Sequence, residues 1–161
     1  MANAKKIRTF LWFDQEAEQA AKFYTSIFKD GKIGTVSRFP EGSPRPAGMV
    51  MTVDFQVAGQ DFVALNGGPE FKFNEAVSFA IECDTQKEID YYWDKLIAGG
   101  GAPVQCGWLK DKYGVSWQVN SSLLEKVLGG KDKAKAGRVM KAMLGMVKLD
   151  IRKLEEAAAA K

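Results

Sequence analysis

The sequence contains no histidine and only two cysteines, Cys83 and Cys106. Imidazole is the commonest ligand of catalytic zinc and iron and the commonest acid–base group, so both kinds of site lose their usual residue here. A disulfide scaffold needs more cysteines in a smaller secreted chain, and a zinc site needs a second pair or histidines. We therefore expect two reduced, buried thiols, with no histidine to activate Cys83 as a nucleophile.

Long apolar runs are also missing. No segment approaches the ~20 consecutive apolar residues that a membrane span requires. The first residues, Met1 to Arg8, lack the apolar core of a secretory signal, which predicts a cytoplasmic protein without a membrane partner.

Charge of one sign is not in excess either. The net charge of +3 is too small to indicate nucleic acid as a partner. One basic stretch is typical of a solvated helix face, although an acidic partner or nucleic acid is the alternative. Its members are Lys131, Lys133, Lys135, Arg138 and Lys141.

What the chain does have is enough apolar material for a core. Its 161 residues are 46% hydrophobic and 27% charged, values typical of an ordinary globular protein. This length suits one domain.

The first part of the chain predicts a β-α-β-β-β order. Asp14 is placed to cap a helix whose apolar residues recur at spacings of three and four, and Gly31 ends it. Ala58-Gly59 predicts a hairpin turn, and residues 40–48 and 67–75 predict loops. The predicted strands are Lys6 to Phe13, Lys32 to Arg38, Val50 to Val57 and Gln60 to Asn66.

The same order then repeats. A strand from Val77 to Cys83 precedes a capping-box pattern, Thr85 to Glu88, and the glycines 99–101 end the helix that follows. Strands from Pro103 to Leu109 and from Val115 to Asn120 complete the second copy. Equivalent residues lie 70 positions apart, which indicates a duplication: Asp14 and Asp84, Phe23 and Trp93, Gly31 and Gly101.

The predicted fold class is therefore α+β, with two β-α-β-β-β modules (6–66 and 77–120) inside residues 1–122. We expect each helix to cover the convex side of its own sheet, and the concave sides to form a cleft or barrel. Residues 123–161 predict a C-terminal helical extension of the same domain, whose last helix begins after Asp150 and runs to Lys161. Its apolar stripe is expected to serve core or subunit packing: Val139, Met140, Met143 and Val147.

Several strings in the chain resemble one superfamily. They are Phe10-Leu-Trp-Phe-Asp14, the segment 65–75, Tyr92-Trp-Asp-Lys-Leu96, the segment 107–118 and the tail Arg138-Val-Met-Lys-Ala-Met-Leu144. With the paired modules, they resemble the vicinal oxygen chelate (glyoxalase/bleomycin-resistance/dioxygenase) superfamily. Within it they resemble the PhnB-like branch, often labelled 3-demethylubiquinone-9 3-methyltransferase domain. The resemblance implies a glyoxalase-like fold and a homodimer.

The resemblance also locates where metal-using relatives place their ligands. The two histidines and the glutamate that bind metal in those relatives correspond to Ile7, Val77 and Gln118 in this chain. Two of these side chains are aliphatic and the third is a neutral amide, so none is a good metal ligand. We therefore expect no metal.

Methyltransferases that use S-adenosylmethionine place a glycine-rich turn between a strand and a helix, whereas the glycine runs here follow helices. We expect no cofactor.

Strand alternation predicts which residues face the cleft. Ile7, Thr9, Leu11 and Phe13 would form one wall, and Val77, Phe79, Ile81 and Cys83 the other, while Ser116, Gln118 and Asn120 add polar groups. Such a cleft suits a small molecule, although the walls could instead close as core. Trp12 and Trp117 are expected on the helix side. The candidate ligand-binding residues are Thr9, Leu11, Phe79, Ile81, Ser116, Gln118 and Trp108.

Glu70 is the candidate catalytic residue, because a carboxylate beside Phe71 and Phe73 can act as an acid or base; an exposed loop glutamate is the alternative. Three functions follow. The leading hypothesis is metal-free binding of a small apolar or aromatic molecule. The second is an enzyme that uses Glu70 and Gln118 or a metal site placed elsewhere, and the third is a structural or interaction module.

Overall fold

The structure, a computed structural model, describes residues 7–160. The chain forms two compact units, one that ends at Lys72 and one that begins at Phe73. Each unit contains one open four-stranded mixed sheet. No helix among the described residues is both long and apolar enough to cross a bilayer.

The first unit has the predicted β-α-β-β-β order. Its sheet order is β1-β4-β3-β2, in which β1 runs parallel to β4 and the other pairs are antiparallel. β2, β3 and β4 have the predicted bounds, whereas Lys6, the predicted start of β1, lies outside the described residues. The elements are β1 (Thr9–Phe13), α1 (Ala17–Ile27), β2 (Lys32–Arg38), β3 (Val50–Val57) and β4 (Gln60–Asn66).

The core of this unit lies between α1 and its sheet. The small side chains of Ala17, Ala20 and Ala21 are fully buried, which lets the helix pack closely. Tyr24 stacks on Phe55 with ring centroids 5.8 Å apart, and Phe55 stacks on Phe62 at 5.2 Å. Each buried ring contributes roughly 1.5–3 kcal/mol of hydrophobic stabilisation.

The cap of α1 differs from the prediction. The helix begins at Ala17, and neither Asp14 nor the N-cap residue Glu16 caps it with a side chain. The Asn66 side chain, at the end of β4, instead accepts the hydrogen bond of the Ala17 N–H through Oδ1 at 2.8 Å. A strand distant in sequence therefore supplies the acceptor that a local residue was expected to provide.

The β3–β4 hairpin turns at Ala58 and Gly59, as predicted. Both residues have positive φ, 49° and 71°, the combination that a type I′ turn needs. The Asp30 carboxylate accepts the backbone N–H groups of Ala58 at 2.9 Å and Gly59 at 2.8 Å. Those two hydrogen bonds, the Ala58 bond first, lower the pKa of Asp30 below its usual value.

The second unit repeats the topology of the first. Its sheet order is β5-β8-β7-β6, with β5 parallel to β8, so each strand occupies the place of its counterpart. The predicted duplication and fold class are confirmed. The elements are β5 (Ser78–Cys83), α2 (Gln86–Ile97), β6 (Ala102–Pro103), β7 (Trp108–Lys110) and β8 (Ser116–Ser121).

One predicted strand of this unit, Pro103 to Leu109, is broken in two. Cys106 and Gly107 have φ values of 60° and 82°, which no strand accommodates. The chain turns there, and the Trp108 N–H donates to the Gln105 carbonyl at 3.1 Å. β6 and β7 are therefore short.

The predicted start and end of α2 are both present. Thr85 and Glu88 form the capping box, and Ile89, Trp93 and Leu96 are buried, whereas Tyr92 and Ile97 are half-buried. After the helix, a Cβ atom on Gly101 would lie 2.6 Å from the Lys110 carbonyl oxygen. Only glycine permits the chain to pass β7 this closely.

Three helices follow β8: α3 (Ser122–Leu128), α4 (Lys133–Leu144) and α5 (Ile151–Ala159). Lys161, the predicted end of α5, lies outside the described residues. Ser121, Asp132 and Asp150 accept backbone N–H groups as their N-caps, which confirms the predicted Asp150 cap. Of the predicted apolar stripe only Val139 is buried. Met140 is exposed, Met143 is half-buried, and Val147 lies beyond the end of α4.

Gln86 on α2 attaches this helical segment to the second module. Its Nε2 donates to the Leu149 carbonyl at 3.0 Å, and its Oε1 accepts the Ile151 N–H at 2.9 Å. Lys148 forms an ion pair with Asp90 at 2.7 Å. The three helices and the second module are thus one packed unit.

Candidate functional site

The two faces of the second sheet differ in chemistry. The β5–β8 register pairs Phe79 with Trp117 and Ile81 with Val119, on the apolar face that α2 covers. The residues between them form the opposite, polar face. These are Ser78, Ala80 and Glu82 on β5, Ser116, Gln118 and Asn120 on β8, and Trp108 and Lys110 on β7.

The predicted alternation was wrong by one residue for β5, whereas it was correct for β8. Phe79 and Ile81 lie on the helix-covered face and do not line a site with Gln118. The prediction placed Val77 in the cleft and counted every second residue from it. Val77 precedes β5, so it does not fix the face of the strand residues, and an error of one residue moves every side chain of a strand to the other face. Ser116, Gln118 and Trp108 do share a face.

The same error occurs in the first unit. Thr9 pairs with Phe62 and Leu11 with Ala64, so both lie on the face that α1 covers, and Leu11 is core. Ile7, from which the alternation was counted, precedes β1.

The tryptophans divide between the faces. Trp117 lies on the helix side, as predicted, and donates from Nε1 to Asp111 Oδ2 at 2.9 Å. Trp12 lies on the opposite face of its sheet, contrary to the prediction. Its Nε1 donates to the Gly68 carbonyl at 2.8 Å, and its ring meets Phe71 edge-on at 4.9 Å.

A cavity of about 300 Å³ opens on the polar face of the second sheet. One side is formed by the sheet and the turn before β7: Glu82, Cys106, Trp108, Gln118 and Asn120. The other side is formed by helices α3 and α4: Leu124, Glu125, Leu128 and Met143. The sequence predicted Trp108, Gln118 and Asn120 but none of the helical residues.

Cross-strand hydrogen bonds hold the two amides of this cavity. Gln118 Nε2 donates to Ser78 Oγ at 2.9 Å, and Asn120 Nδ2 donates to Glu82 Oε1 at 3.2 Å. Beside them, Ser116 is 1% exposed, and its hydroxyl has no hydrogen-bond partner within residues 7–160. The polar groups of the site are therefore oriented by the sheet.

The turn at Cys106 joins the sheet to the helical segment. Cys106 donates its N–H to the Met146 carbonyl, and Gly107 donates to Val147, both at 2.8 Å. A Cβ atom on Gly107 would lie 2.9 Å from the Val119 carbonyl oxygen. The close approach of three segments requires glycine here, and it places Cys106 on the cavity wall.

The two thiols differ. Cys83 is fully buried, as predicted. Burial, followed by the charges of Glu88, Glu82 and Asp84, raises the pKa of its thiol to about 12. It is therefore protonated and unreactive at neutral pH. Cys106 is half-buried rather than buried, because it lines the cavity.

Glu70, the predicted catalytic residue, is an exposed residue of the loop after β4. Phe71 beside it is 64% exposed. Glu70 does not line the cavity of the second unit. Its role as an acid or base stays a prediction.

The metal-ligand positions implied by the family resemblance hold poor donors. Ile7 is 87% and Val77 68% exposed, and both are aliphatic. The Gln118 amide is engaged with Ser78, and neutral amides bind zinc, iron or nickel weakly. No cluster of three or more histidine, cysteine, aspartate or glutamate side chains suited to a metal ion occurs between residues 7 and 160. The donor set does not fit such a site.

The comparisons with known proteins agree with this architecture. The family model described as 3-demethylubiquinone-9 3-methyltransferase matches residues 5–120. A PhnB protein from Bacillus cereus is 38% identical, with a TM-score of 0.66, over 73% of this chain and 100% of that chain. No match was found among curated proteins.

More distant solved structures share the fold alone. A protein from Pseudomonas aeruginosa is 21% identical over 73% of this chain and 98% of its own, with a TM-score of 0.58. The fosfomycin resistance protein FosX from Listeria monocytogenes is 14% identical over 76% of this chain and 97% of its own, with a TM-score of 0.52.

Proposed function

We propose that this chain, which belongs to the PhnB-like family described as 3-demethylubiquinone-9 3-methyltransferase, binds a small molecule without a metal ion. The molecule is apolar or aromatic. The binding site is the cavity of the second unit. The observation that carries this proposal is the combination of apolar walls with two oriented amides in one cavity.

The cavity has the composition of a small-molecule site. Its volume of about 300 Å³ is at the lower end of the range for ligand pockets. Trp108 on the sheet and Leu124, Leu128 and Met143 on the helices supply apolar surface, and Gln118 supplies directed polarity. An aromatic ring placed in the cavity would contact both the sheet and the helices.

Methyl transfer from S-adenosylmethionine, which the family's description implies, has no site in these residues. Asp14 to Glu16 connect β1 to α1, and Asp84 and Thr85 connect β5 to α2, so neither of these strand-to-helix connections contains a glycine. The glycine runs 99–101 and 129–130 follow α2 and α3 instead. Binding without this cofactor is the function that the residues support.

Phenethyl alcohol is a suitable neutral probe. Of the four tryptophans, only Trp108 lines the cavity. In a ¹H–¹⁵N correlation spectrum, the Trp108 indole signal, assigned with Trp108→Phe, should shift on titration. The signal of Trp117, which lies buried on the other face of the same sheet, should stay in place. The absence of a Trp108 shift at millimolar probe would overturn the proposal.

A matched pair of variants locates the binding. Met143→Trp fills the cavity and should abolish the Trp108 shift, whereas Ala134→Trp, at an exposed position of the same helix outside the cavity, should preserve it. Equal effects of both variants would place the probe elsewhere.

Metal analysis tests the other half of the proposal. Protein purified without chelators should contain much less than one equivalent of zinc, nickel or iron. A stoichiometric metal together with glyoxalase or dioxygenase activity would favour the enzymatic alternative. A structural module, the third hypothesis, predicts no probe binding.

We also infer a cytoplasmic homodimer from the family resemblance. The candidate contact is the exposed apolar face of α4, on which Met140 and Leu144 are 37% and 57% exposed. Light scattering after size-exclusion chromatography should give twice the chain mass. Leu144→Lys should give the monomer mass, and an unchanged dimer would place the contact elsewhere.

A further inference from the structure

Given the binding function proposed above, on which this inference rests, we infer that the ligand is an aromatic compound with a protonated amine. Carboxylates and phosphates of the same shape are discriminated against. The charges and hydrogen-bonding groups that line the cavity carry this assignment.

The charged groups of the cavity are all of one sign. Glu82 on β5 and Glu125 on α3 line it from opposite sides, and no lysine or arginine lines it in the described part of the chain. Both glutamates are exposed to solvent. A ligand in the cavity therefore meets two carboxylates whose charge no lining cation balances.

The polar groups add a further acceptor. Asn120 donates its amide nitrogen to Glu82, since a carboxylate can only accept. The Asn120 carbonyl oxygen is left as an acceptor, beside the carboxylate oxygens. An ammonium group, which has three donors and no acceptor, matches these acceptors, whereas the two glutamates would repel a carboxylate ligand.

The apolar part of the cavity suits the rest of the molecule. The Trp108 ring can pack against an aromatic body and also attracts a cation placed over its face. Leu124, Leu128 and Met143 cover the opposite side. An amine separated from a ring by a short chain satisfies both parts of the cavity.

Three probes of nearly equal shape separate charge from size: phenethylamine, phenethyl alcohol and 3-phenylpropionate. Dissociation constants are measured from the Trp108 indole signal at pH 7 and low salt. We expect the amine to bind about tenfold more tightly than the carboxylate, with the alcohol between them. Because the glutamates are exposed, the preference should shrink in ~0.5 M salt.

The double variant Glu82→Gln, Glu125→Gln tests the origin of the preference. Glutamine keeps an acceptor for Asn120 but removes the charge, so the amine should lose most of its advantage and the alcohol should bind as before. The control is Glu41→Gln, Glu155→Gln, which removes the same charge from exposed positions outside the cavity and should keep the preference.

The outcomes distinguish the two proposals. If the alcohol shifts Trp108 but the amine binds no better than the carboxylate, the inference is wrong and the binding function stands. If none of the probes shifts Trp108, the binding function itself is wrong. If the cavity variant and the control variant reduce the preference equally, the preference arises from the net charge of the protein, and the inference is wrong.

Discussion

Asn66 caps helix α1 from the far end of the same module. Its Oδ1 accepts the Ala17 N–H at 2.8 Å, and its Nδ2 donates to the Val50 carbonyl at 2.9 Å. The side chain is 2% exposed, so no water replaces either bond. One amide therefore connects α1, β3 and β4.

Replacement of Asn66 should destabilise the first unit. Asn66→Ala leaves the Ala17 N–H and the Val50 carbonyl buried without partners, at a cost of roughly 2–4 kcal/mol. Asn66→Asp keeps the acceptor for Ala17 but loses the donor to Val50, and should cost less than the alanine. Urea unfolding followed by circular dichroism measures both. Asp14→Ala, at the position predicted to cap, should change stability by less than ~0.5 kcal/mol.

The buried Asp111 carboxylate should prove essential to the β7–β8 turn. It is 3% exposed and accepts the N–H groups of Tyr113 and Val115 and the Trp117 indole. Asp111→Asn turns an amide NH₂ toward the indole N–H, and we expect a loss of about 1–3 kcal/mol.

A double-mutant cycle tests whether that loss comes from the indole. In a Trp117→Phe background, Asp111→Asn should cost less, because no ring donor is left opposite the amide. Equal losses in the two backgrounds would show that the turn N–H groups carry the whole effect.

The thiols should differ in reactivity. With a pKa of about 12, only about one Cys83 in ten thousand is a thiolate at pH 8. An aromatic disulfide reagent should therefore modify one cysteine in the native protein and two after unfolding in urea. Cys106→Ala should abolish the native reaction, and Cys83→Ala should leave it intact. Native reaction of Cys83 in the Cys106→Ala variant would contradict its burial.

The stability of the first unit should depend on pH through Asp30. Its folded-state pKa is lowered from 3.8, so the unfolded chain binds the proton more strongly. The stabilisation is present at pH values above 3.8, the unfolded-state pKa, and is lost as the pH falls through the lower, folded-state pKa. The urea midpoint should drop less between pH 5 and pH 2 in Asp30→Asn than in the wild type. Glu41→Gln, which alters an exposed carboxyl, should follow the wild type.

The parts of the fold that the sequence predicted are those with local signals. The capping box at Thr85, the turn at Ala58 and the bounds of β2, β3 and β4 depend on residues close together in the chain. The Asn66 cap could not be found in this way, because its partner lies 49 residues away. Tertiary packing decided which acceptor α1 uses.

The candidate site was predicted in part for the same reason. Gln118 was found because the family resemblance implies a ligand position there, and Trp108 was among the candidate ligand-binding residues although its strand was predicted with the wrong bounds. The face of β5 was missed because alternation was counted from Val77, outside the strand. The helical half of the cavity depends on the hydrogen bond between Cys106 and Met146. These residues are far apart in the sequence, and no local sequence pattern indicates that they are in contact.

The composition of the cavity bears on inference by homology. Trp108 and Gln118 lie inside the segment that the family model matches, which ends at residue 120, whereas Leu124, Glu125, Leu128 and Met143 lie beyond it. A substrate established for one relative therefore cannot be assigned to this chain from the alignment of the paired modules alone. The residues after 120 must be compared as well, because they form the helical wall of the cavity.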